Sequence, residues 1–374
     1  MAEPSGSGPA GATGAATPSG ADAAAGTGSA RRPLRTALVG YGLGGRVLHR
    51  PLLQAEPGLE ITHVVTRDPV RRGQAAEELP HARLVGTTEE LWQSAEELDL
   101  VVVASANPAH VPVATAALEL GLATVVDKPL ALTSEEAERL CALARERDVP
   151  LTVFHNRRWD SEALTAAQLL EQGTLGELLR LESRFTRYRP ELVDRWREDP
   201  AAGGGVLLDL GSHLVDQALH LLGPVVDVYA EVDARRAGAR VDDDCFLALR
   251  HASGARSHLW CSMTAPWPGP RMVLQGLDGA WEKAGLDGQE DALREAGEVR
   301  PVREPDGRLR DATGERAVPS APGDWPAFYR AVVAAVHREA PVPVAPEDAV
   351  RGLQVLEAAR EAARTGQVTP VAIR

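Results

Sequence analysis

The chain has 374 residues, 44% of them hydrophobic, and a formal net charge of -13. That length predicts two domains and that apolar content a large buried core, which excludes a fibrous or wholly disordered chain. Lys and Arg are scattered among more numerous acids, so no nucleic-acid partner is expected, and no membrane role is indicated. Cys141, Cys245 and Cys261 are odd in number, distant in sequence and without a CxxC pair. Neither a disulfide framework nor a zinc site is expected, and a reducing cytoplasm fits.

Residues 1–33 are almost entirely Ala, Gly, Ser, Thr and Pro, with too little apolar material to bury. They read as a disordered tail outside the fold. Arg31 and Arg32 before the run "TALVGYGLGG" resemble a twin-arginine export signal. No small-residue cleavage site follows, and the run serves another purpose.

From Leu34 to His155, strand-like runs "RTALVGYG", "LEITHVVTR", "RLVG", "LDLVVVAS", "ATVVDK" and "PLTVFHN" alternate with amphipathic stretches such as "TSEEAERLCALARERD". Near-continuous apolar strands separated by helices predict a doubly wound parallel α/β sheet. Residues 156–374 read as a second, α+β domain. A helix near 160–172 and a strand "ELLRLESRFTRY" lead to a Gly-rich entry into the helical "VLLDLGSHLVDQALHLLG". "VVDVYAEVDA", "DDCFLALRH", "ARSHLWCSMTA" and "RMVLQGLDGAWEKAG" follow with hairpin-like spacing. A mostly antiparallel sheet with helices on one face is expected, closed by two amphipathic helices.

"ALVGYGLGGR" sets Gly40, Gly42 and Gly45 in the G-x-G-x-x-G spacing, directly after the first strand and before a helix. In that context glycines allow a tight turn and close approach of a pyrophosphate, so Gly40, Gly42, Leu43 and Gly45 are cofactor-binding candidates. The end of the second strand chooses the dinucleotide: an acid there binds the ribose hydroxyl of NAD, an arginine the 2'-phosphate of NADP. Here stand Thr66 and Arg67, with Arg71 and Arg72 in the next helix, while Asp68 before Pro69 suits a helix N-cap. NADP is favoured over NAD.

Such an enzyme must supply its own acid and base beside the hydride carrier. Lys128 ends the fifth parallel strand, at the edge where open α/β sheets bind ligands. Asp209 and His213 are four apart in a helical stretch, a spacing at which a carboxylate can orient an imidazole for proton transfer. Gly203, Gly204 and Gly205 before them would let backbone approach a ligand. The same three side chains also suit a solvated strand-end lysine and a surface hydrogen bond, and the latter two could be metal ligands. No third ligand sits at a matching spacing, so no metal is expected.

Taken together, the glycine fingerprint, the "DKP" triplet and "GGGVLLDLGSH" resemble the Gfo/Idh/MocA oxidoreductase family over essentially everything after residue 33. "GYGLGGRVLHRPLL", "HNRRWD", "YRPELVDRWRE", "DLGSHLVDQALHLLG" and "DGQEDALR" look like its NADP-dependent scyllo-inositol dehydrogenase group. The resemblance implies a Rossmann domain followed by an open-faced sheet that pairs with another subunit, giving a homodimer or homotetramer. It implies Lys128, Asp209 and His213 as the catalytic set, with His213 accepting the proton and Lys128 polarising the substrate oxygen. Ser105, Asn107 and His110 of "SANPAHV" are implied at the cofactor, as are Asp127 and Lys128, and Asn156 near the substrate. The implied activity is hydride transfer between NADP and a secondary alcohol or ketone of a cyclitol or sugar.

Asp127 stands where the family usually has Glu, one methylene shorter. Its contact to the cofactor or Lys128 is expected to be lost or bridged by water, although Asp127 and the substrate together are expected to satisfy the Lys128 charge. Relatives of this kind also include enzymes that use tightly held NAD in a redox-neutral glycosidase reaction, and regulators that bind dinucleotide without catalysis. Net NADPH formation separates the first class, and loss of the lysine, aspartate and histidine would mark the second.

Overall fold

Six short strands build the first sheet: β1 (Leu34–Val39), β2 (Leu59–Val65), β3 (Arg83–Val85), β4 (Leu100–Val103), β5 (Ala123–Asp127) and β6 (Leu151–Phe154). All neighbours pair in parallel in the order β3-β2-β1-β4-β5-β6. This is the doubly wound order expected of the apolar runs. β4 and β6 are buried along their whole length because helices cover both faces. Successive strands are added outward from β1 on one side and from β4 on the other, so the order reverses between them and their carboxyl ends open a crevice.

The computed structural model describes residues 31–193 and 198–372, and residues 33–374 form one compact unit. The expected tail falls outside the described residues apart from its last three positions. Part of "YRPELVDRWRE" (residues 194–197) falls outside them as well.

The second sheet has nine strands: β7 (Leu178–Thr186), β8 (Val225–Asp233), β9 (Asp244–His251), β10 (Arg256–Ser262), β11 (Met272–Gly276), β12 (Gly279–Lys283), β13 (Gly307–Asp311), β14 (Gly314–Val318) and β15 (Thr369–Pro370). Their order is β14-β13-β12-β11-β7-β10-β9-β8-β15. Only β7 and β10 pair in parallel, so the sheet is mostly antiparallel as expected. The run "RMVLQGLDGAWEKAG" resolves into the hairpin β11–β12, turned at Leu277 and Asp278, since an Asp-Gly pair favours a reversal over a continuous strand. The three cysteines are free and buried, but Cys245 and Cys261 face each other across β9 and β10. Antiparallel pairing brings together two residues that are distant along the chain.

Two long helices tie the sheets together. Pro326–Val336 buries Phe328 and Tyr329, and Phe328 meets Phe154 of β6 edge-on at 5.0 Å between centroids. Pro346–Thr365 buries one face that includes Leu353 and Leu356, and its Glu357 accepts from Ser134 of the first half at 2.7 Å. Each such contact fixes the relative position of the two crevice walls.

Candidate active site

A cleft of about 1230 Å³ runs without a break from the glycine turn, past the ends of β2, β4 and β5, to the wall formed by β7 and the helix Gln289–Ala296. Among the expected residues it is lined by Gly40, Gly42, Leu43, Thr66, Arg67, Ser105, Asn107, His110, Asp127, Lys128, Asn156, Asp209 and His213. Gly45 lies behind the turn.

The glycines have separate reasons. Gly40 has φ +100°, and a Cβ there would lie 2.6 Å from the Ala104 carbonyl. At Gly45 a Cβ would meet the Gly40 carbonyl at 2.0 Å, so this glycine is demanded by the protein's own packing. At Gly42 the nearest atom to a Cβ is the Arg71 guanidinium at 3.7 Å, and the open side faces the cleft. The helix that follows begins with a π-helical turn, Leu43–His49, before Arg50–Ala55 continues as α-helix. Ser105 Oγ, at the end of β4, is buried without a partner. A backbone cradle at the sheet's switch point and an orphaned hydroxyl further along fit a dinucleotide. Gly40, Gly42 and Leu43 would hold its pyrophosphate, with Thr66 and Arg67 at the ribose.

At the β2 end, Asp68 Oδ1 accepts from the Arg71 amide at 3.0 Å, making it the N-cap of Pro69–Glu78, as its position predicts. Arg67 and Arg71 line the cleft and form no ion pair with any described residue, whereas Arg72 donates to the Leu84 carbonyl at 2.9 Å.

His110 lines the cleft and is also held by the protein's own backbone. Its Nδ1 lies 2.7 Å from the Pro129 carbonyl and its Nε2 3.1 Å from the Ser105 carbonyl. A neutral imidazole has one N–H, so it donates to one of these two carbonyls, and the side chain braces the loop after β4 against the DKP turn. Burial, its largest influence, pushes its pKa down against those two carbonyls. Asn107 Nδ2 donates to the Gly203 carbonyl at 3.4 Å, linking the two walls.

Lys128 Nζ donates to the backbone carbonyl of Asp209 at 2.6 Å and to its carboxylate Oδ1 at 2.8 Å. An ammonium has three donors, so one remains for a ligand in the cleft. The expectation that Asp127 satisfies this charge is therefore corrected: the partner is Asp209. Asp127 Oδ1 instead accepts the Lys128 backbone amide at 2.8 Å, while both hydrogen bonds of the Lys128 ammonium go to Asp209. The other Asp127 oxygen stands 3.7 Å from His49 Nε2, and His49 Nδ1 is 2.6 Å from the Tyr329 hydroxyl. Burial raises the Asp127 pKa, but His49 and Lys128 outweigh it and hold the carboxyl below its usual range.

The pairing inferred between Asp209 and His213 also changes. Residues 207–211 form a π-helical turn, and only from Ser212 does the chain run as α-helix to Leu222. A π turn closes i to i+5, so the four-residue spacing no longer sets two side chains one above the other. Asp209 turns to Lys128, and His213 Nδ1 is enclosed without a hydrogen-bond partner, leaving Nε2 for proton exchange. Burial first, then the nearby Lys128 and Arg157 charges, drive the His213 pKa well below its ordinary 6.5. The imidazole is neutral at working pH and can accept a proton.

The opposite wall contains residues that spacing did not reveal. After β6, the short turn Asn156–Trp159 buries two arginines in separate networks. Arg157 pairs with Asp160 at 3.0 Å and Glu290 at 2.7 Å, and Arg158 with Asp216 at 2.7 Å and Asp348 at 2.9 Å. Locked on both sides, this turn presents Asn156, 5% exposed, to the cleft. Phe185 of β7 stacks near His213, with centroids 6.3 Å apart at 26°. Arg187 and Glu290 complete the wall. The strings "HNRRWD" and "DGQEDALR" hold Arg157 and Glu290, but only the fold shows that they meet.

A dinucleotide cradle joined to an ammonium and a neutral imidazole defines a nucleotide-binding protein equipped for oxidation and reduction. Residues 34–155 match the oxidoreductase family with an NAD-binding Rossmann fold, and residues 163–282 match the Gfo/Idh/MocA C-terminal domain. The chain belongs to the Gfo/Idh/MocA oxidoreductase family. It is 36% identical over 332 residues to the uncharacterized oxidoreductase YdgJ of Escherichia coli, covering 86% of this chain and 94% of that one. It is 34% identical over 333 residues to the scyllo-inositol 2-dehydrogenase (NADP(+)) IolW of Bacillus subtilis, covering 86% and 92%. The solved structure of YvaA from Bacillus subtilis superposes with a TM-score of 0.85 at 33% identity, covering 91% and 99%.

Among the described residues no helix is long and apolar enough to cross a membrane, and no three His, Cys, Asp or Glu side chains are grouped to hold a metal.

Proposed function

We propose that this protein is an NADP-dependent dehydrogenase or reductase that interconverts a secondary alcohol and a ketone on a cyclitol or sugar. The observation that carries the reading is Lys128, held on Asp209 with a donor to spare, beside the neutral, enclosed His213 in the cleft that begins at the glycine turn. The bound nicotinamide supplies or takes the hydride. Lys128 donates its remaining hydrogen bond to the substrate oxygen and stabilises the negative charge that develops there. His213 Nε2 takes the hydroxyl proton in oxidation and returns it in reduction. Asp209 holds the ammonium in place, and Asn156 orients the remaining hydroxyls.

Preference for NADP is supported by Arg67 and Arg71, both on the cleft and without an acidic partner among the described residues, and by the NADP-dependent relative IolW. In this reading residues 34–155 are the cofactor domain and 156–374 the substrate and assembly domain. The protein pairs as a homodimer or homotetramer through the open face of the second sheet, where Phe246, His258 and Trp260 pack ring on ring. Its free thiols fit the cytoplasm.

Absorbance at 340 nm, with NADP(H) or NAD(H) and a panel of inositols, aldoses and sugar acids in both directions, tests the reading. Net NADPH formation well above NADH formation is expected. Cofactor binding with no net signal from any polyol would overturn it in favour of a redox-neutral or regulatory role.

A further inference from the structure

Three guanidinium groups surround the Phe185 ring that stacks near His213. Arg157 lies 4.7 Å from its centroid, Arg187 5.1 Å and Arg271 5.7 Å. Two of them are compensated: Arg157 by Asp160 and Glu290, Arg271 by Glu162 at 2.8 Å. At this end Lys128 is matched as well by Asp209, and Arg294 by Glu290 at 2.6 Å. Arg187 and Arg189 have no such partner among the described residues, and of the two only Arg187 is half-buried, Arg189 being exposed.

The Arg187 side chain is half-buried, lines the cleft, and has no hydrogen bond or ion pair with any described residue. Among the described residues it packs on the face of Phe185, with the carboxylates of Glu290 and Asp209 acting on it but forming no direct ion pair. A guanidinium cannot shed its charge, so partial burial without a counter-ion is a standing cost that a bound anion would remove. Burial, followed by the like charges of Arg189 and Arg157, lowers its pKa, while Glu290 and Asp209 act in the opposite direction. Neutral hydroxyls accept hydrogen bonds from such a group but leave its charge uncompensated. A carboxylate or phosphate takes two parallel N–H donors and supplies the missing charge. The cofactor's own phosphates belong to the glycine turn at the other end of the cleft.

Building on the substrate site of the proposed function, we propose that Arg187 determines specificity by binding an anionic group, a carboxylate or a phosphate monoester, carried by the polyol substrate. The acidic group would sit one ring, Phe185, away from His213, which leaves a neighbouring secondary alcohol for Lys128 and His213 to act on.

The test is calorimetric binding to the NADP-loaded protein of D-glucose, D-glucuronate, D-gluconate, glucose 6-phosphate, myo-inositol and myo-inositol 1-phosphate. At least one acid is expected to bind about tenfold or more tighter than its neutral counterpart, as for a hydrogen-bonded charge pair. The carboxylate and phosphate members identify which acid is meant. Arg187→Gln should erase the preference without changing NADP affinity, and Arg187→Lys, which keeps the charge but not the fork, should retain part of it. Neutral and acidic ligands binding within about twofold of each other, a preference that survives Arg187→Gln, or no binding by any acid would each overturn the inference. Absorbance at 340 nm on the same samples separates the two readings. An acid preference without net NADPH formation leaves Arg187's role intact and removes the dehydrogenase. NADPH formed from neutral polyols with no acid preference does the reverse.

Discussion

The cleft is faced by two helix starts of the same unusual form, Leu43–His49 on the first sheet and Leu207–Gly211 beside the second, each a π-helical turn leading into α-helix. They do opposite work. The first offers backbone alone, with glycine at 40, 42 and 45 because a side chain would strike the protein or fill the cleft. The second offers side chains, with Asp209 turned onto Lys128 and His213 enclosed with a free Nε2. A backbone site is written into the sequence as residue types at fixed spacing. A side-chain site depends on groups converging from distant parts of the chain, and here a single π turn redirects one of them.

The contrast breaks most sharply at the side-chain site. Lys128→Ala removes the donor to the substrate oxygen, and should lower kcat by about 10²–10⁴-fold with NADP affinity changed far less. Steady-state kinetics at saturating NADP(H) measures it, and near wild-type turnover would dismiss Lys128 from the chemistry.

The backbone site should fail in two separable ways. Gly45→Ala forces a Cβ to 2.0 Å from the Gly40 carbonyl, so the turn must distort, and both thermal stability and cofactor affinity should drop. At Gly42 the nearest protein atom is 3.7 Å away, so Gly42→Ala should melt like the wild type yet bind NADP at least tenfold more weakly. Calorimetric melting with a cofactor titration reads both. Equal losses of stability in the two variants would show that Gly42 serves the fold and not the ligand.

The same difference explains how much could be read in advance. The alternation of strands and helices, the glycine turn and the Asp68 cap rest on local patterns, and each appears where the pattern puts it. The partner of Lys128 does not, because it depends on a contact across 81 positions. His110 lines the cleft, but a sequence cannot show that carbonyls 5 and 19 positions away flank its ring. Arg187 carried no local signal at all. Its importance lies in what the other two guanidiniums around Phe185 have and it lacks, a direct carboxylate partner.

The smallest expected effect concerns protons. His110, His155 and His213 all have pKa values lowered first of all by burial, whereas in the unfolded chain each titrates near 6.5. As pH falls below 6.5 the unfolded state takes up protons that the folded state refuses, so stability is full above that pH and declines below it. The lowered carboxyls of Asp127, Asp216 and Glu290 add their own losses only in the more acid range where carboxylates protonate. Melting temperature should therefore slope downward from pH 6.5, offset in part by Asp160 and Asp242, whose carboxyl pKa burial raises so that the folded state binds their protons first. His213→Gln should make that slope shallower, whatever it does to the melting temperature itself, because it removes one of the seven imidazoles whose pKa burial lowers, those of His63, His220, His251 and His258 being the other four. Activity gives the second reading: if neutral His213 is the proton acceptor, the acid limb of kcat/KM lies below 6.5. A limb at or above 6.5, with an unchanged melting slope in His213→Gln, would mean that His213 is solvated and charged, and that the base must be sought elsewhere along the cleft.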